Sequence, residues 1–336
     1  MNKRLRWGVL GAAKIATKKV IPGMRGCEFA EVTAIASRDK ARAMEAAREL
    51  GIATAYGSYE ELLRDPEIDV IYNPLPNHLH VPWSVKAAEA GKHVLCEKPI
   101  ALSAAEARTL RDARDRTGVK IGEAFMVRTH PMWLRARELV RSGAIGELRA
   151  ILSVFSYFNR DAQNIRNIPE FGGGAVMDIG CYPITMSRFL FDREPVRAVG
   201  LIERDPEMGT DRLSSAMLDF EPGQAVFTCS TQLVPFQRLQ VFGTIGRIEL
   251  EIPYNIPPDR ACRLWLDDGS QLGGLSAKPE EFAAADQYGI QADTFSKAVL
   301  QKVPVPVPLE NAISNMAVIE AVLRSGASGQ WEKISV

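Results

Sequence analysis

Short apolar or β-branched runs alternate with longer amphipathic stretches through the first third of the chain. The runs Trp7–Leu10, Val32–Ala36, Ala53–Tyr56, Val70–Tyr72, His93–Cys96 and Val119–Ala124 read as strands. Between them, "DKARAMEAAREL" and "SAAEARTLRDARDR" repeat apolar positions at helical spacing. Strands joined by helices of about ten residues imply right-handed crossovers and a parallel, doubly wound α/β sheet over residues 1–124. After about Phe125 the texture changes. A helix over Pro131–Ser142 leads into "LRAILSVFSYF", a polar loop and "GGGAVMDIGCYPITMSRFL". Closely spaced strand-like runs follow near Val196–Ile202, Ser214–Phe220, Ala225–Gln232, Arg238–Phe242, Arg247–Ile252 and Cys262–Leu266. Turn signals such as "EPGQ" and "DDGS" predict antiparallel pairing, so residues 125–336 form an α+β domain. "VPVPVP", Val303–Pro308, is an extended connector into a final helix.

Composition narrows the function classes. The 336 residues carry 41 Lys+Arg against 41 Asp+Glu, and 46% are hydrophobic. Two cores can be filled, and no net field exists to hold a phosphate backbone or an anionic membrane, so neither nucleic acid nor a membrane is an expected partner. Five cysteines lie far apart without a CxxC pair, which indicates neither a disulfide framework nor a thiolate zinc site. The start "MNKRLRWGVLGAA" mimics a signal peptide, but Lys14, Lys18 and Lys19 interrupt its apolar run. No apolar stretch reaches the ~18 residues of a membrane span. A cytoplasmic protein is expected.

The first turn, "GVLGAAKIA", places Gly11, Ala13 and Ala16 where a dinucleotide fingerprint has its three glycines. Gly11 serves the tight turn, and the alanines are small enough for helix approach, although a plain strand-to-helix turn would read similarly. About twenty residues on, where NAD enzymes usually place an acid, stand Ser37 and Arg38. A guanidinium pairs bidentately with a 2′-phosphate, so NADP is the expected cofactor. The competing reading makes Ser37 or Asp39 a helix cap, and Asp39 leaves NAD use open.

Ligands of an open parallel sheet gather beyond the carboxyl ends of its strands. Two loops leave that edge: "NPLPNHLH" after the fourth strand and "EKP" after the fifth. The cofactor contacts expected from these turns are Gly11, Ala13, Lys14, Ile15, Ser37, Arg38, Pro74, Leu75, Asn77, His80, Glu97 and Lys98. Pro99 restricts the geometry beside Lys98. Taken alone, Glu97 and Lys98 would equally be a solvated pair at a helix start. In "DIGCYPI", Asp178 and Tyr182 are four apart, so a helix projects both from one face. A free phenol has a pKa near ~10, and a neighbouring ammonium lowers it; Lys98 and Tyr182 are candidates for such a pair. A tyrosine beside Cys181 and Ile184 also fits a core position.

"GVLGAAKIA", "LPNHLH", "AGKHVLCEKPIAL", "EAFMVR" and "GGGAVMDIGCYPI", in this order, resemble the glucose-fructose oxidoreductase, inositol dehydrogenase and rhizopine-catabolism family of sugar oxidoreductases. The likeness spans nearly the whole chain. It implies a Rossmann domain followed by an open-faced, mostly antiparallel sheet domain that mediates dimer or tetramer formation in relatives. It further implies that Lys98 contacts the nicotinamide ribose and a substrate hydroxyl, that Asp178 orients substrate, and that Tyr182 is the general acid/base. Inositol dehydrogenases have histidine at the last position, so Tyr182 points to the pyranose branch of xylose, glucose and dihydrodiol dehydrogenases. Arg128, His130 and Arg166 are further candidates for substrate contact, each with a structural alternative. His78 and His80 lack a third ligand nearby, and hydride transfer needs no metal, so none is expected.

The reading that follows is an NADP-dependent dehydrogenase acting on a free aldose at the anomeric carbon. Its alternatives are a ketoreductase of a nucleotide-linked keto-sugar, a dihydrodiol dehydrogenase and, in another class, a non-catalytic sensor of NADP and sugar. Retention of both Lys98 and Tyr182 counts against the sensor, which has no need of a proton relay.

Overall fold

Residues 4–335 are described by the computed structural model. The alternating first third forms β1 (Leu5–Leu10), β2 (Ala30–Ala36), β3 (Thr54–Tyr56), β4 (Val70–Asn73), β5 (His93–Cys96) and β6 (Ile121–Glu123). All pair in parallel, in the order β3-β2-β1-β4-β5-β6 of a doubly wound dinucleotide fold. Every residue of β4 is buried, as expected of a central strand covered on both faces. The returning helices are delimited by their ends. Asp39, Ser58 and Ser103 each accept a backbone N–H from the turn they open, and Gly51 and Gly118 end two helices in left-handed conformation.

The chain divides into two compact units, 4–129 with 286–313, and 130–285 with 314–335. This differs from the single cut expected at 124/125. The helix Gln287–Leu300, which the sequence reading did not single out, belongs with the first sheet. Its Ser296 accepts from Trp7 Nε1 at 3.1 Å, and Phe295 meets the Trp7 ring edge-on at 5.7 Å. The proline connector then lies along β6, where Glu123 N–H donates to Val307 O at 3.0 Å. Burial of a wholly apolar tryptophan face thus recruits a helix distant in sequence.

The second unit is built on a nine-stranded sheet. Its strands are β7 (Leu148–Phe158), β8 (Arg197–Arg204), β9 (Asp211–Asp219), β10 (Gln224–Ser230), β11 (Gln232–Gly243), β12 (Arg247–Leu250), β13 (Cys262–Asp267), β14 (Lys278–Phe282) and β15 (Glu332–Lys333). The order is β14-β13-β12-β11-β7-β10-β9-β8-β15. Pairing is antiparallel except between β7 and β10. Strand β7 alternates strictly at its centre: Ile151, Ser153 and Phe155 are buried, while Leu152 between them is exposed. Its buried face meets the helical segment that carries Asp178 and Tyr182.

Candidate functional site

In the first unit, β1 ends at a turn in which Gly11 takes φ +87°, a conformation side chains rarely adopt. A Cβ there would also lie 3.1 Å from Leu75 Cδ2, so the turn after β1 and the loop after β4 are in contact. Gly11 N–H donates to Ala36 O at 2.7 Å, tying the turn to the end of β2. The helical segment that follows begins at Lys14, which is exposed, with Ala13 and Ile15 half-buried. Its second turn is a π-turn over Ala16–Val20. Backbone donors at a helix start beside a glycine turn suit a pyrophosphate.

Beyond β2, Ser37 is buried and Arg38 is exposed. Asp39 Oδ1 accepts from Ala41 N and Arg42 N at 2.9 and 3.3 Å, so this carboxylate serves as a helix cap. Ser37 Oγ accepts from Asp39 N at 3.2 Å. The local cap and the basic tip therefore coexist. Arg42, absent from the sequence reading, donates to Ala12 O at 3.2 Å. Burial raises the Tyr59 phenol, while Arg38 and Arg42 draw it down, which places two guanidinium groups beside one ring at this edge. Basic groups without a competing free acid fit a 2′-phosphate better than a bare ribose.

The loop that carries Lys98 is fixed on both sides. Ahead of it, Glu97 N–H donates to Asn73 O at 3.0 Å, and the Glu97 carboxylate accepts from Tyr72 Oη at 2.6 Å. Beyond it, Ile100 N–H donates to Glu123 Oε1 at 2.8 Å. His80 supplies the third tie: Nδ1 lies 2.8 Å from Pro99 O and Nε2 lies 2.7 Å from Leu75 O. Asn73 Nδ2 in turn donates to His80 O and to Ser84 Oγ, both at 3.0 Å. Lys98 itself is half-buried, Pro74 and Leu75 are buried, and Asn77 is half-buried at the start of a short 3₁₀ turn. His80 is 1% exposed with both ring nitrogens facing backbone carbonyls, so its ring braces the Lys98 loop. Burial lowers its pKa to about 4, against the pull of the two carbonyls.

In the second unit, Asp178 lies within a π-turn, Val176–Gly180, that runs directly into the helix Cys181–Phe191 bearing Tyr182. Asp178 Oδ2 accepts from Tyr157 Oη at 2.6 Å and from Arg166 Nε at 2.9 Å. The Asp178 side chain is 13% exposed and that of Arg166 is 44% exposed. Tyr182 is 5% exposed, with its ring centroid 5.7 Å from Phe155 and 5.4 Å from Tyr254. Phe155 and Tyr157 are two apart on one face of β7, a rise of about 6.6 Å. Four helical residues rise about 6 Å, so the strand pair matches Asp178 and Tyr182 step for step.

The electrostatics follow from that packing. Asp178 holds the Arg166 guanidinium well above its ordinary value, with Tyr157 and Tyr182 adding to the effect. Burial, then the Asp178 charge, pushes the Tyr157 phenol well up. Arg166 is therefore oriented by Asp178 instead of standing as an isolated loop cation. Tyr157, Phe155 and Tyr254 were missed by the sequence reading, although the alternation in "SVFSYF" places the first two on one strand face. His130 is fully buried, its Nδ1 accepts from Met132 N at 3.2 Å, and it caps the helix Pro131–Arg141, which gives it a structural role. Arg128 is half-buried in the preceding 3₁₀ turn, Met126–Thr129. Among the described residues no group of three or more His, Cys, Asp or Glu could hold a metal, and no helix is long and apolar enough to cross a membrane.

Comparison with known proteins agrees with this fold. Residues 5–125 match the oxidoreductase family with NAD-binding Rossmann fold, and residues 133–249 match the GFO/IDH/MocA C-terminal domain. The chain belongs to the GFO/IDH/MocA oxidoreductase family. It is 40% identical over 331 residues to the D-xylose 1-dehydrogenase (NADP(+)) 2 of Haloferax volcanii, covering 97% of this chain and 98% of the relative. Among solved structures, an aldose-aldose oxidoreductase from Caulobacter crescentus, complexed with glycerol, superposes with a TM-score of 0.88 at 26% identity, covering 98% of this chain and 100% of that one. A 3-ketoreductase from Actinomadura kijaniata, in complex with NADP and TDP-benzene, gives 0.88 at 27% identity, covering 96% and 98%.

Proposed function

We propose that this family member is an NADP-dependent oxidoreductase that moves a hydride between nicotinamide and an alcohol carbon of a free aldose, with Tyr182, Lys98 and Asp178 as its catalytic residues. The observation that carries the choice of a neutral sugar is the Arg166–Asp178 pair at 2.9 Å. A paired guanidinium presents hydrogen-bond donors without net charge, which suits a polyol. Neighbouring cations are likewise matched to acids, Arg160 to Glu207 and Arg212 to Glu203. A nucleotide diphosphate would gain little attraction there. The similarity to an aldose dehydrogenase at 40% identity supports the same choice.

In this reading Tyr182 takes the alcohol proton in oxidation and returns it in reduction. Its ring, wedged between Phe155 and Tyr254, has little freedom to turn, so the phenol oxygen meets each substrate in one orientation. The role of Lys98 rests on the family resemblance of its motif, and the ties through Glu97, Pro99 and Ile100 hold its loop in place. Asp178 and Arg166 bind further hydroxyls. NADP, when bound, supplies the two-electron hydride carrier. Gly11, Ala13, Lys14 and Ile15 would hold its pyrophosphate, and Ser37, Arg38 and Arg42 its 2′-phosphate.

Five free, buried thiols support a reducing, cytoplasmic setting. The exposed apolar positions of the nine-stranded sheet support a homo-oligomer. The deciding assay follows NADP reduction across aldoses, alditols and dihydrodiols, and NADPH oxidation with keto-sugars. Turnover of free aldoses is expected; turnover of nucleotide-linked keto-sugars alone would replace this reading with the ketoreductase. Tight NADP binding without turnover of anything would favour a sensor.

A further inference from the structure

One of the buried carboxyls that the mechanism leaves unused packs against the segment bearing Asp178. Asp211, at the start of β9, is 3% exposed. Its Oδ2 accepts from Val176 N–H at 2.7 Å and from Ser214 Oγ at 3.0 Å. Val176 opens the π-turn that holds Asp178, and its N–H is one of the donors a helix start leaves unsatisfied. On the other side, a Cβ built on Gly174 would lie 1.9 Å from Asp211 Oδ1. Gly174, at φ +116°, therefore turns a Cα hydrogen toward that oxygen, a close approach only glycine allows. Both carboxylate oxygens face donors.

Gly174 is the hub between this carboxyl and the site. Its N–H donates to Arg166 O at 2.8 Å, and its carbonyl accepts from Asp178 N–H at 3.0 Å. The backbones of both members of the Arg166–Asp178 pair thus rest on the residue that Asp211 touches. We propose that Asp211 is a positioning residue for the reaction: in its ionised form it caps, from a neighbouring strand, the helical segment carrying Asp178 and Tyr182, and so fixes where Asp178 and Arg166 meet the substrate. Protonation removes an acceptor from a carboxyl whose two sides are both occupied by donors. The added hydrogen displaces the Val176 bond, reverses the Ser214 bond so that the hydroxyl accepts, or collides with Gly174.

Burial raises the Asp211 pKa to about 6, against the bonds from Val176 and Ser214 and the charge of Arg204. Tyr157 on β7 and Cys229 on β10 also face it, as does the capped segment with Asp178, and burial raises both the phenol and the thiol. The neighbour that opposes protonation by charge is thus Arg204. An acid with this pKa is charged above about 6 and neutral below, so efficiency rises with pH through that range.

This inference rests on the roles given above to Asp178 and Tyr182, and the test separates the two. With the aldose that the assay identifies, wild-type kcat/KM is expected to climb about tenfold between pH 5 and 7. Asp211→Asn should lose that limb and remain about tenfold low at pH 7.5, with NADP affinity within twofold of wild type. Ser214→Ala removes a hydrogen bond that favours the charged form, and should move the limb upward by about half a pH unit or more. Hydrogen exchange of the 174–180 amides needs no substrate and should quicken in Asp211→Asn at pH 7.5. Unchanged exchange overturns the cap whatever the substrate is. An unshifted limb in Ser214→Ala overturns the link to ionisation, even if Asp211→Asn fails to fold. Faster exchange with no turnover in the wild type would instead leave the cap standing and remove the dehydrogenase reading.

Discussion

Tyr182 carries the proton in the proposed reaction, and the rest of the site exists to hold or tune it. Phenylalanine keeps the contacts to Phe155 and Tyr254 but removes the transferable proton. Tyr182→Phe should therefore fold normally, bind NADP as before and lose about 10²- to 10⁴-fold in kcat, the usual yield of general acid/base catalysis. Steady-state kinetics decide it: near-full turnover would remove the assignment. Arg38 offers a test at the opposite end of the cofactor. With Asp39 engaged as a helix cap, the basic tip is the feature that favours a 2′-phosphate. Arg38→Ala should raise KM for NADP by about tenfold, or about 1.4 kcal/mol, while leaving KM for NAD within about twofold. Equal losses with the two cofactors would place Arg38 on adenine instead of on phosphate.

Single elements explain why Lys98 needs its surroundings. Strand β5 ends in a loop whose carbonyl at Pro99 is gripped by His80, the first residue of the helix His80–Glu89. A neutral ring donates through one nitrogen only, so replacing it with a methyl group leaves one of the Pro99 and Leu75 carbonyls buried without its donor, at about 1–3 kcal/mol. His80→Ala should therefore lower the urea midpoint measurably and reduce kcat, and the loss in kcat should persist well below the unfolding transition. A stability loss with unaltered turnover would make His80 merely structural. These ties also show what the sequence can convey. The strands of the first sheet were legible to within about two residues, because fully buried parallel strands concentrate β-branched residues and are punctuated by helix caps. Lys98, Asp178 and Tyr182 could be proposed from sequence because their motifs combine. The burial of His80 and His130 could not be read there: a histidine in a loop motif looks the same whether its nitrogens face a cleft or the backbone. Asp211, Tyr157 and the helix Gln287–Leu300 escaped because their partners lie 35, 21 and nearly 290 residues away.

At the scale of the molecule, the nine-stranded sheet has one face that its own helices leave bare. Cross-strand register aligns Val199 with Met217, Met217 with Val226, and Val226 with Leu152, an apolar row across four adjacent strands. Beside it, Ser215 and Thr228 bond to each other at 2.9 Å, which removes two hydroxyls from competition for water. Leu152, Leu201 and Phe236 are 43%, 79% and 49% exposed. Monomers rarely leave so extended an apolar surface open, and a second copy of the same face is self-complementary about a twofold axis. The sheet is therefore expected to pair with its equivalent in a homodimer. Leu152→Glu puts a charge in the middle of the row without touching the buried residues Ile151 and Ser153 on the opposite face. It should convert the dimer to monomer in sedimentation velocity at micromolar concentration, because two carboxylates brought together across a dry interface lose hydration and repel. The circular dichroism spectrum should be unchanged, which separates dissociation from unfolding. A wild-type protein that sediments as a monomer, or a variant that stays dimeric, would move the contact to another surface. Addition of salt supplies the remaining discrimination: a pairing held by this apolar row should strengthen or hold at high ionic strength, whereas one held by surface ion pairs should weaken.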